Sequence, residues 1–377
     1  MAKLFTPGPL NTTLTVKEAM LRDLGSRDKE FIDIVADVRK QLVEIAGGSP
    51  DQHVCVPLQG AGSYAVEAVF ANVIGRSRGK ALILANGAYA YRMTTICDQH
   101  SYHQTTLKMA EENPIDLDIV LQELKANGHG YAMVAAVHCE TSTGIINPIS
   151  AIAKLVAEHT TAVFFVDSMS GLGAIPVNMK KDHIHFLVSS ANKCLQGVPG
   201  FAYVLADHTA LTSCKGNCTS WAFDLCAQLD GLESNGQFRF TPPTHAILAF
   251  NQAVKEFNAE TLQGRINRYK KNNEIIRKGM AEMGFKAFDS HLSDDKKGYI
   301  ITGFHYPSDA NFHFGILYTK LSEKKLVIYP GKVSKADTFR LGNIGDLHPL
   351  DCSTLIQGIK DVLNEMNVDL PVKYDYQ

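Results

Sequence analysis

Phe186-Leu187-Val188-Ser189-Ser190-Ala191-Asn192-Lys193-Cys194-Leu195-Gln196-Gly197-Val198-Pro199-Gly200-Phe201 is the stretch from which the rest of the chain can be read. A short apolar run gives way to small polar residues, then to one lysine, then to a glycine and proline cluster that forbids regular structure. The lysine must therefore sit just beyond a buried strand, where α/β proteins place their chemistry. Among Val, Leu, Phe and small residues its ammonium loses solvation, which lowers the pKa and frees the amine to attack carbonyls. Two readings stand on this stretch alone: a Schiff-base lysine, or a lysine that ends a strand and faces water.

Upstream, Ala162-Val163-Phe164-Phe165-Val166-Asp167-Ser168-Met169-Ser170 reads as a central strand covered on both faces, delivering a carboxylate at its carboxyl end. Asp167 and Lys193 are thus expected to face one crevice. In pyridoxal-phosphate (PLP) chemistry such a pair divides one task. The lysine holds the cofactor aldehyde as an imine, and the aspartate keeps the pyridine nitrogen protonated and the ring electron-withdrawing.

Composition narrows the classes that remain. A chain of 377 residues exceeds one ordinary core and predicts two domains. With 45% hydrophobic and 20% charged residues it is globular, and a formal net charge of -2 gives no long-range field for nucleic acid or an anionic membrane. Small metabolites are the expected ligands. The first residues lack a signal-peptide core, and no stretch approaches the roughly 18 apolar residues of a membrane span, so a cytoplasmic location is expected. The eight cysteines are scattered through apolar segments and read as packed thiols; Cys214 and Cys218 lack the second pair or histidines of a zinc site, and no metal is expected.

Taken in order, residues 1 to 14 predict an irregular arm, and Phe31, Val35, Val38, Leu42 and Ile45 mark one face of a helix that Gly47-Gly48 stops. Gly60-Ala61-Gly62-Ser63 then precedes a helical run. Glycines there let backbone N–H groups and the positive helix end meet a phosphate, with Ser63 adding a donor. Gly60-x-Gly62-x-x-Ala65 also satisfies a dinucleotide fingerprint, but the next strand, Ala81 to Ala85, ends in Asn86-Gly87 without the acid that would hold a ribose. A turn without any ligand explains the glycines equally well. Tyr131 to Val137 is another buried strand, and His138 beyond it reads as a satisfied strand-end histidine. Residues 251 to 283 predict one long helical link, with Arg265, Arg268, Lys270 and Lys271 as a solvated face. Strands are expected at 298–302, 326–329 and 338–341, and helices near 311–322 and 350–366. Arg340, on one of those strands, either joins a surface salt bridge or grips a carboxylate or phosphonate with two parallel hydrogen bonds.

Thr6-Pro7-Gly8-Pro9-Leu10, Leu58 through Ala68, Asn86-Gly87-Ala88-Tyr89, His138 through Gly144 and Ser189 through Phe201 carry a family resemblance. So do Phe238 through His245, Tyr329-Pro330-Gly331-Lys332-Val333 and Phe339 through Gly345. In this order, over nearly the whole chain, they resemble the class V, fold-type I PLP-dependent aminotransferases. Within that family they are similar to the branch that moves the amino group of 2-aminoethylphosphonate to pyruvate.

The resemblance implies an α/β fold: a large domain with a mainly parallel seven-stranded sheet and a smaller C-terminal α+β domain. The implied divisions are an arm at 1–14, a PLP-binding domain at 15–255 and a small domain at 256–377. It implies that Lys193 and Asp167 are catalytic and that Ala61, Gly62, Ser63, Tyr89, Thr141, Ser190 and Thr241 help them hold PLP. Tyr89 would stack on the ring, and Thr241 would reach the phosphate of the other subunit in a homodimer. Arg340, Thr6 and Gly8 would line the substrate pocket. Ser168, Gly171 and Leu172 beside Asp167, Ala61 in place of a serine and Ser142 in place of a threonine depart from the family pattern. Alanine or serine exchange with glyoxylate or pyruvate is the nearest alternative, and an NAD-dependent oxidoreductase a distant one.

Overall fold

The computed structural model describes residues 2–329 and 337–375. The chain opens with β1 (Lys3–Phe5), α1 (Leu14–Glu18) and α2 (Lys29–Ile45). It then alternates through β2 (His53–Gln59), α3 (Gly62–Val73), β3 (Ala81–Ala85), α4 (Ala88–His100), β4 (Gln104–Lys108), α5 (Leu117–Asn127) and β5 (Met133–Val137). A two-strand ladder, β6 (Cys139–Glu140) and β7 (Ile145–Ile146), leads into α6 (Ile149–His159), β8 (Val163–Asp167), β9 (Phe186–Ser190), β10 (Phe201–Asp207) and α7 (His208–Thr212). Helices α8 (Leu225–Ser234), α9 (Thr244–Glu260) and α10 (Leu262–Glu282) precede β11 (Ile301–His305), α11 (Phe314–Glu323), β12 (Leu326–Ile328), β13 (Thr338–Gly342) and α12 (Pro349–Glu365).

The main sheet has seven strands in the order β2-β10-β9-β8-β5-β3-β4. Its central strands are apolar throughout because helices cover both faces. Along β5, Val134 and Ala136 face one apolar cluster while Met133, Ala135 and Val137 face the other; along β8, Phe164 and Val166 oppose Phe165. β10 is the exception to parallel pairing, running antiparallel to both β9 and β2. The connection Ala191–Gly200 holds no helix, and without a crossover helix the next strand can only return. β8 and β9 are parallel neighbours with Asp167 opposite Val188, so the segment after Ser190 overhangs the carboxyl end of the sheet beside Asp167.

A further core gathers Phe5, Ile276, Met280, Phe304, Phe339, Leu341, Leu355 and Ile359 around α10, α12 and the β11–β13 pair. Three expectations need correction here. The arm is not wholly irregular: Lys3, Leu4 and Phe5 pair in parallel with Leu326, Val327 and Ile328, since Phe5 alternates inward to that core. The link is two helices, broken at Thr261, whose φ of +66° leaves the helical region while its hydroxyl accepts from the Gly264 amide to start α10. Strand β11 also begins later than expected, at Ile301. The residues 330–333 of one family block lie outside those described.

Candidate active site

Lys193 follows β9 in a turn closed by the Gln196 amide donating to the Lys193 carbonyl at 2.7 Å. Its Nζ donates to the carbonyl of Pro7 at 2.8 Å and lies 3.4 Å from that of Gly8. Burial pulls its pKa down from the usual lysine value to about 8. The charges of Arg92, Asp167 and Arg340 also reach it. Lys193 is half-buried and its amine turns to the arm, which fits the desolvated lysine expected from the sequence better than one that faces water.

Asp167 ends β8 with 1% of its surface exposed. One carboxylate oxygen accepts from the Met169 amide at 3.0 Å, and the other from Nη2 of Arg92 at 2.6 Å. Arg92, one turn into α4, also donates to Ser63 Oγ at 3.1 Å and lies 5.1 Å over the Tyr89 ring. One guanidinium thus touches three of the expected cofactor residues, yet the sequence reading passed it over. Its signal was its place: an arginine in the first turns of a helix that starts at a strand's carboxyl end.

Ala61, Gly62 and Ser63 form the start of α3, where Ala61 brings no capping side chain. Ala61 is exposed and Gly62 and Ser63 are half-buried, so a helix start with a serine and an arginine beside it stands open to solvent, the setting that favours an anion.

The loop between β6 and β7 supplies Thr141, whose hydroxyl lies 3.2 Å from that of Ser170 and whose carbonyl accepts from Nη1 of Arg340 at 2.8 Å. Arg340 is 2% exposed and packs 4.8 Å over the Tyr329 ring. Its Nη2 is buried without a hydrogen-bond partner among the described residues. A surface salt bridge is excluded, and an unpaired guanidinium nitrogen costs free energy unless a ligand meets it.

Glu140, also unforeseen, is fully buried and accepts from the amides of Tyr89, Ala90 and Ser142 and from the Ser142 hydroxyl. Burial raises its pKa while these donors oppose the rise. It caps α4 in place of Gly87 and so ties the Tyr89 peptide to the Thr141 loop; a Cβ on Gly87 would lie 2.2 Å from its Cγ.

The arm reaches the same place. Gly8 has φ +106°, and a Cβ there would lie 2.6 Å from the Asn192 carbonyl and 2.8 Å from Cδ of Lys193. Thr6 is buried, its hydroxyl bonds the Pro9 carbonyl, and its backbone abuts Gly342 at the end of β13. Ser190 closes β9 with its hydroxyl 3.1 Å from Asn192 Oδ1.

Thr241 stands apart, exposed and lining a surface cavity of about 310 Å³ with Arg27, Arg239 and Phe240. His138 is buried, its Nδ1 3.0 Å from Ser168 Oγ, and burial lowers its pKa to about 4. It is neutral near pH 7 and satisfied, as a strand-end residue should be.

The sequence matches the class-V aminotransferase family model over residues 13–308, and the chain belongs to that family. Two relatives are named 2-aminoethylphosphonate--pyruvate transaminase. One, from Phocaeicola vulgatus, is 43% identical over 95% of this chain and 98% of its own; the other, from Pseudomonas putida, is 40% identical over 97% and 98%. Among solved structures, ureidoglycine-glyoxylate aminotransferase from Bacillus subtilis superposes with a TM-score of 0.88 at 23% identity, covering 98% of this chain and 95% of that one. Pyridoxamine-pyruvate aminotransferase from Mesorhizobium loti gives 0.87 at 22%, covering 98% and 93%. These likenesses bear out the fold class. Among the described residues, no helix is long and apolar enough to cross a membrane, and all eight cysteines are buried and free.

Proposed function

We propose that the chain is a PLP-dependent aminotransferase that moves the amino group of 2-aminoethylphosphonate to pyruvate, giving phosphonoacetaldehyde and alanine. The single observation that carries the donor class is Arg340: a buried guanidinium with an unspent nitrogen, within electrostatic reach of Lys193, whose pKa is lowered to about 8. A phosphonate or a carboxylate, each with paired oxygens, fits that fork. The names of the relatives support the same pair of substrates.

The donor set suits the cofactor. The α3 N-terminus with Ser63 and Arg92 takes a phosphate, Tyr89 offers a ring face, and Asp167 offers a buried carboxylate to a ring nitrogen. Bound there, PLP supplies an electron-withdrawing ring that lowers the cost of negative charge at the substrate carbon. Lys193, deprotonated, would condense with the cofactor aldehyde and hold it covalently; as a released amine it would take the proton from the substrate carbon and return it to the cofactor carbon. Asp167 would pair with the ring nitrogen, and Arg92 holds the Asp167 carboxylate in place. Arg340 holds the acid group of each substrate in turn, so that the two half-reactions use one site.

The sheet-bearing part, with the arm folded over it, acts as the cofactor domain, and residues 256–377 act as the smaller domain that brings Arg340. Thr241 acts in a homodimer, on the neighbouring subunit's phosphate. The surface beside it supports this, because Trp221 is 76% exposed, 4.7 Å from the Phe240 ring and capped by Arg239. Packed, reduced cysteines suit a cytoplasmic setting.

The test is a panel of amino donors with pyruvate as acceptor, followed by alanine formation. 2-Aminoethylphosphonate should exceed serine, alanine and taurine in kcat/KM by at least about tenfold. Equal rates with serine would leave the class and remove the donor.

A further inference from the structure

We infer that the buried polar face of α10 is a strut that fixes the span between Lys193 and Arg340, and that this span selects the length of the amino donor. The inference rests on the function proposed above and adds specificity-determining residues to it.

Arg265, Arg268, Tyr269, Asn272 and Asn273 recur at helical spacing on α10. Instead of facing water, Arg265 is 1% exposed and Tyr269, Asn272 and Asn273 are buried, with Arg268 largely covered. Of the four residues expected on a solvated face, Lys270 and Lys271 are exposed and the two arginines are not. Both arginines close on Glu260, at 2.7 Å and 2.6 Å. Burial pushes that carboxyl up, but the Arg268 hydrogen bond and the two positive charges outweigh it and leave its pKa lowered.

One end of this face holds the lysine turn. Nη1 of Arg265 donates to the Cys194 carbonyl at 2.7 Å, and Gln196 Nε2 donates to the Tyr269 hydroxyl at 2.6 Å. Gln196 has φ +63°, a left-handed conformation that a non-glycine residue keeps only when its surroundings hold it. The other end holds the exit of β13, just past Arg340. Arg268 Nη1 donates to the carbonyls of Gly345 at 2.7 Å and Leu347 at 3.1 Å. Asn272 Nδ2 donates to the Leu347 carbonyl at 2.8 Å, and Asn343 Nδ2 donates to the Tyr269 carbonyl at 3.0 Å. The Gly345 amide donates to the Tyr269 hydroxyl at 3.1 Å. One phenol oxygen therefore touches both the turn that carries the reactive amine and the loop that follows the anion-binding arginine.

Buried polar networks stiffen as their groups are satisfied, and of the side-chain atoms on this face Asn272 Oδ1 is left without a partner among the described residues. A donor must present its nitrogen at Lys193 and its acid at Arg340 together. A span held constant separates donors that differ by one methylene, because only one length meets both groups in line, and the proposed donor has two carbons between nitrogen and phosphorus.

The experiment compares kcat/KM for 2-aminoethylphosphonate and 3-aminopropylphosphonate in the full-length holoenzyme, with the cofactor spectrum and Tm recorded for each variant. Tyr269→Phe should keep the spectrum and lower the preference for the shorter donor about tenfold, a cost in keeping with a small misplacement of reacting groups. Arg268→Lys should act in the same direction. As a control on the same helix, Ile276→Val, within the apolar core, should lower Tm and leave the preference unchanged. Wild-type preference in cofactor-loaded Tyr269→Phe or Arg268→Lys overturns the inference, and so does an equal loss in Ile276→Val. If the wild-type enzyme uses neither phosphonate while still using carboxylate donors, the donor assignment fails and takes the inference with it.

Discussion

Arg92 and Asp167 meet across 2.6 Å with the carboxylate almost wholly out of water. A buried carboxylate needs such a partner to stay charged, and this partner also reaches Ser63 at the start of α3. The residues proposed to meet the ring nitrogen and the phosphate are thereby joined through one side chain.

Asp167→Asn should retain cofactor and lose turnover by about a hundredfold or more, since an amide cannot hold the ring nitrogen protonated. Arg92→Gln should instead weaken cofactor binding by about tenfold in a fluorescence titration of the apoprotein. An asparagine variant as fast as wild type would make Asp167 a structural residue.

Lys193→Ala should abolish the visible cofactor absorbance and nearly all turnover. In the wild-type apoprotein, capture of added PLP should rise with pH about a midpoint near 8, because the ammonium prevails below it and the free amine above it. The sign for stability follows from the same depression. Between about 8 and the ordinary lysine value of 10.5, the unfolded chain binds the proton and the folded one does not. The apoprotein therefore gains stability from this group as pH rises through that window. Stopped-flow capture and urea melts across pH 7 to 10 measure both, and a capture midpoint at 10 or above would mean that burial does not govern this amine.

Arg340→Lys should raise KM for 2-aminoethylphosphonate and for pyruvate alike, each by about 30-fold, as expected when a charged paired contact is reduced to a point charge. Separate half-reaction kinetics would reveal whether only one substrate responds, which would assign the other acid group to a different residue.

Gly8→Ala should cost roughly 1–3 kcal/mol in a urea melt, from a left-handed backbone that alanine resists. Because the new methyl would press on Asn192 and Cδ of Lys193, the cofactor absorbance should shift as well. A variant with wild-type stability and spectrum would show that the arm yields there freely.

Much of this architecture is legible from periodicity alone. Asp167 and Lys193 could be placed at neighbouring strand ends because unbroken apolar runs followed by small polar residues identify doubly covered strands. Arg92, Glu140 and the α10 face could not be placed so easily. A buried ion pair has the same composition as a solvated one, and only the partner tells them apart. Glu140 is separated from the amides it caps by a whole βα unit, so its role has no local pattern. For α10, the spacing of Arg265, Arg268, Tyr269, Asn272 and Asn273 was a usable clue: one stripe held the polar groups, and the charges alone suggested water.

Pairing of β1 with β12 carries a last consequence, for biosynthesis. Lys3, Leu4 and Phe5 leave the ribosome long before Leu326, Val327 and Ile328 and find these partners only when they have emerged. The carbonyls of Pro7 and Gly8 that meet Lys193 ride on that same arm. A nascent chain can thus assemble its sheet early, yet it cannot finish the pocket until β12 has been made, and catalytic competence arrives as one late event.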